Sequence, residues 1–348
     1  MAAISKLCSD RVATMSSLSG LTTSAGHARL VFVGHRGVGQ NRPPPVATAA
    51  TETVLAGTGV SRASPDIREN TVLSMNRAAK LGVDFVEFDV QVTKDGVPVI
   101  FHDNHILTAD GLDCKISDLT LSEFQAIGPS QTPGKIGRQL IRRRRDGSMY
   151  TWVAEEEDAM PTLVDLFDRV DPAIGFNVEV KFAADDSKNA GGAPEIDRIL
   201  SALLPVVDAH CGSRPLFFSS FMPDAVVELK KRQSKHQVLF LTVGCGSFSD
   251  ERMNSVQAAV AHCKAHGLAG VVSEVKTLLA DSATIRSVKD AGLLLFSYGT
   301  TNDDVDAAHF QQYHGVDGII VDDVAGMANH VLNVTPEDLQ PPFGKYGV

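Results

Sequence analysis

The stretch Phe85-Val86-Glu87-Phe88-Asp89-Val90 is an apolar, strand-like run that carries two carboxylates two positions apart. Ionisable groups seldom sit inside such runs unless they meet one another, a metal or a substrate. Residues i and i+2 of a strand project from one face, so Glu87 and Asp89 share a face and Phe88 points the other way. Ile174 to Val180 repeats the pattern, with Glu179 near its end and Lys181 on the same face just beyond it. Two further runs finish in His35-Arg36 and His102-Asp103. A single histidine in a strand is usually a satisfied core residue, and a lone Glu-x-Asp is weak evidence. Four strands ending in the same kind of chemistry are stronger, because α/β barrels build their active sites at the C-terminal ends of their strands. At such a mouth three carboxylates and an ammonium would converge. Without a cation the carboxylates would repel and some would take up protons, whereas a divalent ion would hold them ionised. Oxygen-only donors favour Mg or Ca, with Mn also compatible, over metals that prefer nitrogen and sulfur.

Working outward, apolar runs recur along the chain: Leu30 to Gly34, Phe85 to Val90, Val97 to Phe101, Ile174 to Val180, Leu216 to Ser219, Val238 to Thr242, Leu268 to Val272, Leu293 to Ser297 and Gly318 to Val321. Between them, helical spacing marks Asn70 to Leu81, Ile196 to Val207, Ala225 to Arg232, Ser255 to His266 and Ile285 to Ala291. This alternation predicts a parallel sheet with helical crossovers. Nine candidate strands stand where a closed barrel needs eight, so one is supernumerary. Thr93-Lys94-Asp95-Gly96, between the second and third, is too short for a helix and reads as a hairpin-like turn that makes the barrel irregular there.

With 348 residues and 43% hydrophobic content, the chain suffices for one α/β barrel of about 250 residues with decorations. The net charge of −10 excludes general attraction to nucleic acid or anionic membrane and leaves phosphate binding to a local pocket. Five scattered cysteines without a C-x-x-C pair suit reduced thiols and argue against a zinc knot or a disulfide scaffold. No apolar run approaches the roughly 20 residues of a membrane span, so no stable membrane insertion is expected. The oligomeric state is left open. Residues 1–27 hold Lys6, Arg11 and a single acid, Asp10, among many Ser, Thr and Ala. That is the composition of an organellar transit peptide, pointing to a plastid, with a plain disordered arm on a cytoplasmic protein as the alternative.

Two stretches interrupt the pattern. Arg42 to Pro65, with Pro43-Pro44-Pro45, reads as loop filler, with a lid as the second reading. Thr108 to Met160 reads as an insertion on the active-site side of a barrel domain spanning 28–330, followed by a C-terminal tail, 331–348. Within it, Arg142-Arg143-Arg144-Arg145 and Glu155-Glu156-Glu157-Asp158 read as a solvated surface of mutually screening charge, with a phosphorylated ligand on the arginines as the second reading. Asp103 reads as a turn or helper residue, Asp322-Asp323 as strand-end caps with contact to the site as the second reading, and Ser219 and Ser220 as substrate contacts of low weight, since neither has the histidine–acid partnering of a nucleophile.

His35-Arg36-Gly37, Glu69-Asn70-Thr71, Glu87-Phe88-Asp89-Val90, the phrase from Thr93 to Asp103, and Glu179-Val180-Lys181 together resemble the glycerophosphodiester phosphodiesterase family, in matching order from about Leu30 to about Val324. Phe218-Ser219-Ser220-Phe221, Val272-Ser273-Glu274-Val275-Lys276 and Ser297-Tyr298-Gly299 are similar to its plant members. Two features depart from the pattern. Many relatives carry a Trp-Thr pair where this chain has Ser297-Tyr298-Gly299, which bears on contacts to the alcohol side of a substrate, and the Pro-rich stretch lengthens the loop before Glu69.

The resemblance implies a TIM (β/α)8 barrel of the phospholipase-C-like phosphodiesterase type with a small insertion. It implies metal-dependent hydrolysis of small glycerophosphodiesters to sn-glycerol 3-phosphate and an alcohol such as choline or ethanolamine. His35 and His102 would be general acid and base in an order the resemblance does not assign. Glu87, Asp89 and Glu179 would ligate the divalent metal (Mg or Ca, with Mn also compatible), and Arg36 and Lys181 would neutralise the phosphate. Glu69 would add a ligand or orient a histidine. The competing readings are a lysophospholipase D or phospholipase-C-like enzyme acting on a lipid, a dinuclear zinc hydrolase using the two histidines as ligands, and a catalytically silent barrel that binds phosphate metabolites.

Overall fold

The computed structural model describes residues 29–41, 67–129, 137–143, 147–152, 154, 156–182, 192–335, 337–341 and 343–346. The transit-type segment and the Pro-rich stretch, with its filler and lid readings, lie outside the described residues, as do Arg144, Arg145 and Glu155.

The first strand, β1 (Val31–Gly34), leads to helix α1 (Val72–Lys80) and strand β2 (Phe85–Val92). Then come β3 (Pro98–Ile100), β4 (His105–Thr108), β5 (Asp113–Lys115), α2 (Leu121–Ile127), β6 (Leu140–Arg143), β7 (Met149–Thr151) and α3 (Leu163–Arg169). From there strand and helix alternate: β8 (Gly175–Val180), α4 (Ala193–His210), β9 (Leu216–Ser220), α5 (Pro223–Arg232), β10 (Gln237–Thr242), α6 (Val256–His266) and β11 (Gly270–Glu274). The chain ends with α7 (Val275–Ala280), α8 (Ser282–Asp290), β12 (Leu294–Tyr298), α9 (Val305–His314), β13 (Gly318–Val321) and α10 (Val324–Leu332).

Eight parallel strands, in the order β1, β13, β12, β11, β10, β9, β8, β2, close into a TIM barrel, because β1 pairs with both β13 and β2. The supernumerary strand is β3, which folds back antiparallel on β2. The turn that reverses it has Thr93 Oγ1 accepting from Val97 N and Gly96 at φ 82°. The irregularity expected at this point is an added strand, and the ring of eight stays unbroken.

Period-2 alternation divides the barrel residues between two cores. Val31, Val33, Phe85, Phe217, Leu239, Leu241, Val272, Phe296 and Ile320 fill the interior, while Phe88, Val178 and Phe218 face the outer helices. Phe217 lies 5.4 Å from both Phe85 and Phe296, ring centroid to ring centroid, which makes an aromatic floor. Small residues make room for it: a Cβ on Gly175 would come within 2.3 Å of the Phe85 ring, and one on Gly318 within 2.4 Å of Phe296. Outside, α1 starts at Thr71, whose hydroxyl accepts from Ser74 N, and α2 and α3 open with capping boxes at Thr120/Glu123 and Thr162/Asp165.

Between β3 and α3 the chain builds a second sheet, antiparallel in the order β5, β4, β6, β7. It has a core of its own that includes Phe101, Ile106, Phe124, Leu140 and Trp152. No helix among the described residues is long and apolar enough to cross a membrane.

Candidate active site

The parallel register of β2 and β8 sets Asp89 opposite Glu179 and Glu87 opposite Asn177, all facing the barrel mouth. One oxygen each of Glu87, Asp89 and Glu179 lies within 4.8 Å of the others. Lys181 Nζ donates to Glu179 Oε1 at 2.8 Å and stands 3.3 Å from Asp89 Oδ1. Arg36 and Asn70, the two described non-glycine residues in the left-handed region, at φ 50° and 58°, approach from the loop after β1. Arg36 gives its backbone N–H to Glu87 Oε2 at 3.0 Å and its Nε stands 3.4 Å from Asp89 Oδ2. Asn70 Nδ2 donates to Asp89 Oδ2 at 2.8 Å. Backbone strain of this kind is tolerated where surrounding contacts over-determine it, as they do here.

Burial, then the charge of Asp89 and, after the opposing effect of His35, that of Glu179, push the Glu87 carboxyl up to about 8, with Arg36 also opposing. Burial with the Asp89 charge likewise raises Glu179 despite Lys181. Asp89 is held well below the carboxylate range: burial would raise it, but Lys181, His102 and Arg36 reverse that. Glu87 Oε1 and Asp89 Oδ1 are buried and accept no hydrogen bond. Three converging carboxylates, two of them raised by burial and by one another's charge, and two buried oxygens that accept no hydrogen bond fit a hard divalent cation.

Each histidine beside this cluster is anchored through Nδ1. His35 meets Asp322 Oδ1 at 2.6 Å, and its Nε2 lies 3.8 Å from Glu87 Oε2. His102 meets Asp103 Oδ1 at 2.6 Å. A carboxylate at Nδ1 keeps the proton there and leaves Nε2 for chemistry. The two rings differ electrically. Burial and Arg36 pull His35 down, but the charge and hydrogen bond of Asp322 and the charge of Glu87 leave it above its ordinary value. Burial, then Arg36 and Lys181, take His102 down to about 4.

Behind the histidines runs a buried ionic chain. Asp103 Oδ2 accepts from Arg142 Nε at 2.8 Å; Arg142 Nη2 donates to Glu69 Oε1 at 2.8 Å, and the same oxygen accepts from Arg36 Nη1 at 2.8 Å. Glu69 Oε2 accepts from Asn41 N at 2.5 Å. The Arg142 guanidinium lies 4.0 Å over the ring of Trp152, which stacks on Phe101. Across the mouth the chemistry changes: Phe221, after β9, and Tyr298, ending β12, meet edge to face at 5.9 Å and cover the interior core. The ionic side of the mouth thus faces an aromatic pair, with Glu274 in register beside Tyr298.

The family model described as the glycerophosphoryl diester phosphodiesterase family matches residues 35–325. The chain belongs to that family. As a phosphodiesterase it is similar to plant members: it is 38% identical over 314 residues to glycerophosphodiester phosphodiesterase GDPD2 of Arabidopsis thaliana, covering 89% of this chain and 79% of that one. It is 36% identical to the Arabidopsis thaliana glycerophosphodiester phosphodiesterase GDPD1, chloroplastic, over 85% and 79% of the two chains. Among solved structures, an Oleispira antarctica phosphodiesterase in complex with the product sn-glycerol-3-phosphate shares the fold at a TM-score of 0.59 and 20% identity, covering 87% of this chain and 97% of that chain.

In this phosphodiesterase the mouth gathers His35, Arg36, Glu87, Asp89, Glu179 and Lys181, with His102 at its rim. Three expectations need correction. Glu69 neither joins the carboxylate cluster nor touches a histidine; its oxygens are taken by Arg36, Arg142 and Asn41. For Asp322 the second reading holds, since it touches the site as the partner of His35, whereas Asp323 does cap α10, accepting from Gly326 N. Arg142 is buried in the site, not solvated; its neighbour Arg143 is exposed beside Asp113. The acidic run screens other arginines, with Glu156 on Arg77 and Glu157 on Arg68. Ser219 and Ser220 are structural, bonding Asn177 and the Val180 carbonyl. Asn70, which holds Asp89, is a site residue that spacing does not reveal. Asp322 carried a readable signal, since it continues the inward parity of Gly318 and Ile320.

Proposed function

We propose that this phosphodiesterase hydrolyses small glycerophosphodiesters, glycerophosphocholine and glycerophosphoethanolamine among them, to sn-glycerol 3-phosphate and the free alcohol, using one divalent cation on Glu87, Asp89 and Glu179. The observation that carries the reading is the pair of carboxylate-anchored histidines beside a cluster of three carboxylates that lacks enough positive charge of its own. Bound there, a divalent cation would supply charge against the phosphoryl oxygens and acidify the attacking hydroxyl or water. Arg36 and Lys181 add fixed positive charge for the phosphate. The Nε2 atoms of His35 and His102 take the proton from the attacking oxygen and return one to the departing alkoxide. Phe221 and Tyr298 offer an apolar wall to the carbon-bearing end of the substrate. A cluster whose donors are all carboxylate oxygens favours Mg, Ca or Mn over a dinuclear zinc centre. The relative named chloroplastic supports a plastid location, to be checked by imaging a fluorescent fusion of the full chain.

The test is release of glycerol 3-phosphate and choline from glycerophosphocholine, and of choline or phosphocholine from lysophosphatidylcholine micelles, with Mg, with Ca and with chelator. Metal-dependent release is expected from the soluble diester, falling about 10²- to 10⁴-fold in kcat with little change in KM for His35→Asn and His102→Asn. Glu87→Gln should abolish the metal response. Turnover confined to the micelles would transfer the function to lipids, and ligand binding without any turnover would make this a silent barrel.

A further inference from the structure

We infer that Arg142, contributed by the second sheet and not by the barrel, is a positioning residue that fixes the His102 ring and the Arg36 guanidinium together. The inference rests on the phosphodiesterase reading for what His102 and Arg36 do, and on geometry for how they are held. Asp103 grips His102 Nδ1 with one oxygen, and its own orientation depends on the other, which accepts from Arg142 Nε at 2.8 Å. The opposite edge of the same guanidinium donates to Glu69 Oε1 at 2.8 Å, and that oxygen also accepts from Arg36 Nη1. Nη1 of Arg142 adds contacts of 3.3 Å to Glu69 Oε2 and to the Asn41 carbonyl.

A planar fork serves two carboxylates in different directions at once, which a lysine point charge cannot do. The fork is itself immobilised: it is 9% exposed and lies over the Trp152 ring. Arg143, pointing to the exposed Asp113 on the other side of the strand, has no such connection. The second sheet is thereby a working part of the active site, since without it the barrel would hold Glu69 and Asp103 with no shared cation between them.

The first readout is spectroscopic and independent of turnover. In ¹⁵N-histidine-labelled protein the His102 Nδ1–H, assigned by its loss in His102→Asn, should give a strongly hydrogen-bonded downfield signal. It should shift or broaden in Arg142→Lys and stay in place in Arg143→Ala. In turnover of glycerophosphocholine with Mg, Arg142→Lys should lower kcat about 10- to 100-fold, the usual cost of an outer partner that orients a working group. In an Asp103→Asn background the same substitution should change kcat by less than about twofold, because that arm is already cut. Glu69→Gln combined with Arg142→Lys should be similarly non-additive in KM. An unmoved His102 signal in Arg142→Lys, or kcat and KM losses that multiply independently in both pairs, would overturn the inference. If Arg142→Lys fails to fold, Asp103→Asn carries the test, and an unchanged His102 signal there overturns it. A wild-type protein that shows the Arg142-dependent signal but cleaves no diester would overturn the substrate reading alone.

Discussion

Glu69 shows how one residue can be held ionised in a place that penalises charge. Burial alone would raise its pKa, but Arg142 and Arg36 bring it down to about 2 from an ordinary 4.5. That gap corresponds to about 3 kcal/mol of stability, fully present above pH 4.5 and lost as the pH falls toward 2, where the folded carboxylate also protonates. Urea titrations of wild type and Glu69→Gln should therefore differ by about this amount at pH 7 and converge between pH 4.5 and 2. A difference that stays constant over that window would show that the Glu69 charge is not the stabilising feature. At this scale, residues on strands were legible, because parity alone says that Glu87 and Asp89, or Glu179 and Lys181, share a face. Asn70 and Asn41 were not, since their roles depend on loop backbone, and the left-handed φ of Asn70 leaves no mark on sequence spacing. Arg142 was obscured by its neighbours: a run of four arginines reads as one patch, yet alternation along β6 buries Arg142 beside Leu140 and exposes Arg143.

At the scale of elements, the floor of the site depends on what is missing from two strands. Gly175→Ala would drive a Cβ into the Phe85 ring in a filled interior, and the expected cost is about 1–3 kcal/mol, read as a lower urea midpoint with an unchanged slope. An unchanged midpoint would mean that Phe85 can swing aside, and the floor is then looser than its ring contacts suggest. The strands of the barrel were readable because they are buried on both faces and so appear as near-continuous apolar runs. The helices were readable only where one stripe is buried. Helix α9 escaped notice because Ala307 to Gln312 are all buried, with glutamines and a histidine among them, so no polar face alternates with an apolar one. Helix α7 was hidden by its start: it follows β11 without a loop, Glu274 ending the strand and capping the helix at Lys276 N.

For the molecule as a whole, the second sheet has a core of its own, which takes in Val99 of β3, and it joins the barrel there, around Arg142, Arg68, Phe101 and Trp152, and through backbone bonds such as Lys94 N to the Leu119 carbonyl. The order of strands and crossovers announced the barrel; the second sheet was less visible, since short strands such as Asp113–Lys115 and Met149–Thr151 bury too little to leave a pattern. Such a division favours local opening of the smaller unit before the larger one. The chain has a single tryptophan, Trp152, and it lies at this junction, stacked on Phe101 with the guanidinium groups of Arg142 at 4.0 Å and Arg68 at 5.8 Å. In urea, tryptophan emission should therefore change at a lower concentration than far-ultraviolet circular dichroism; coincident transitions would mean one cooperative unit. The same placement gives the protein a native optical gauge: every photon emitted on excitation at the red edge of the protein spectrum comes from the wall behind His102, so the seating of that wall can be followed in real time without attaching a dye.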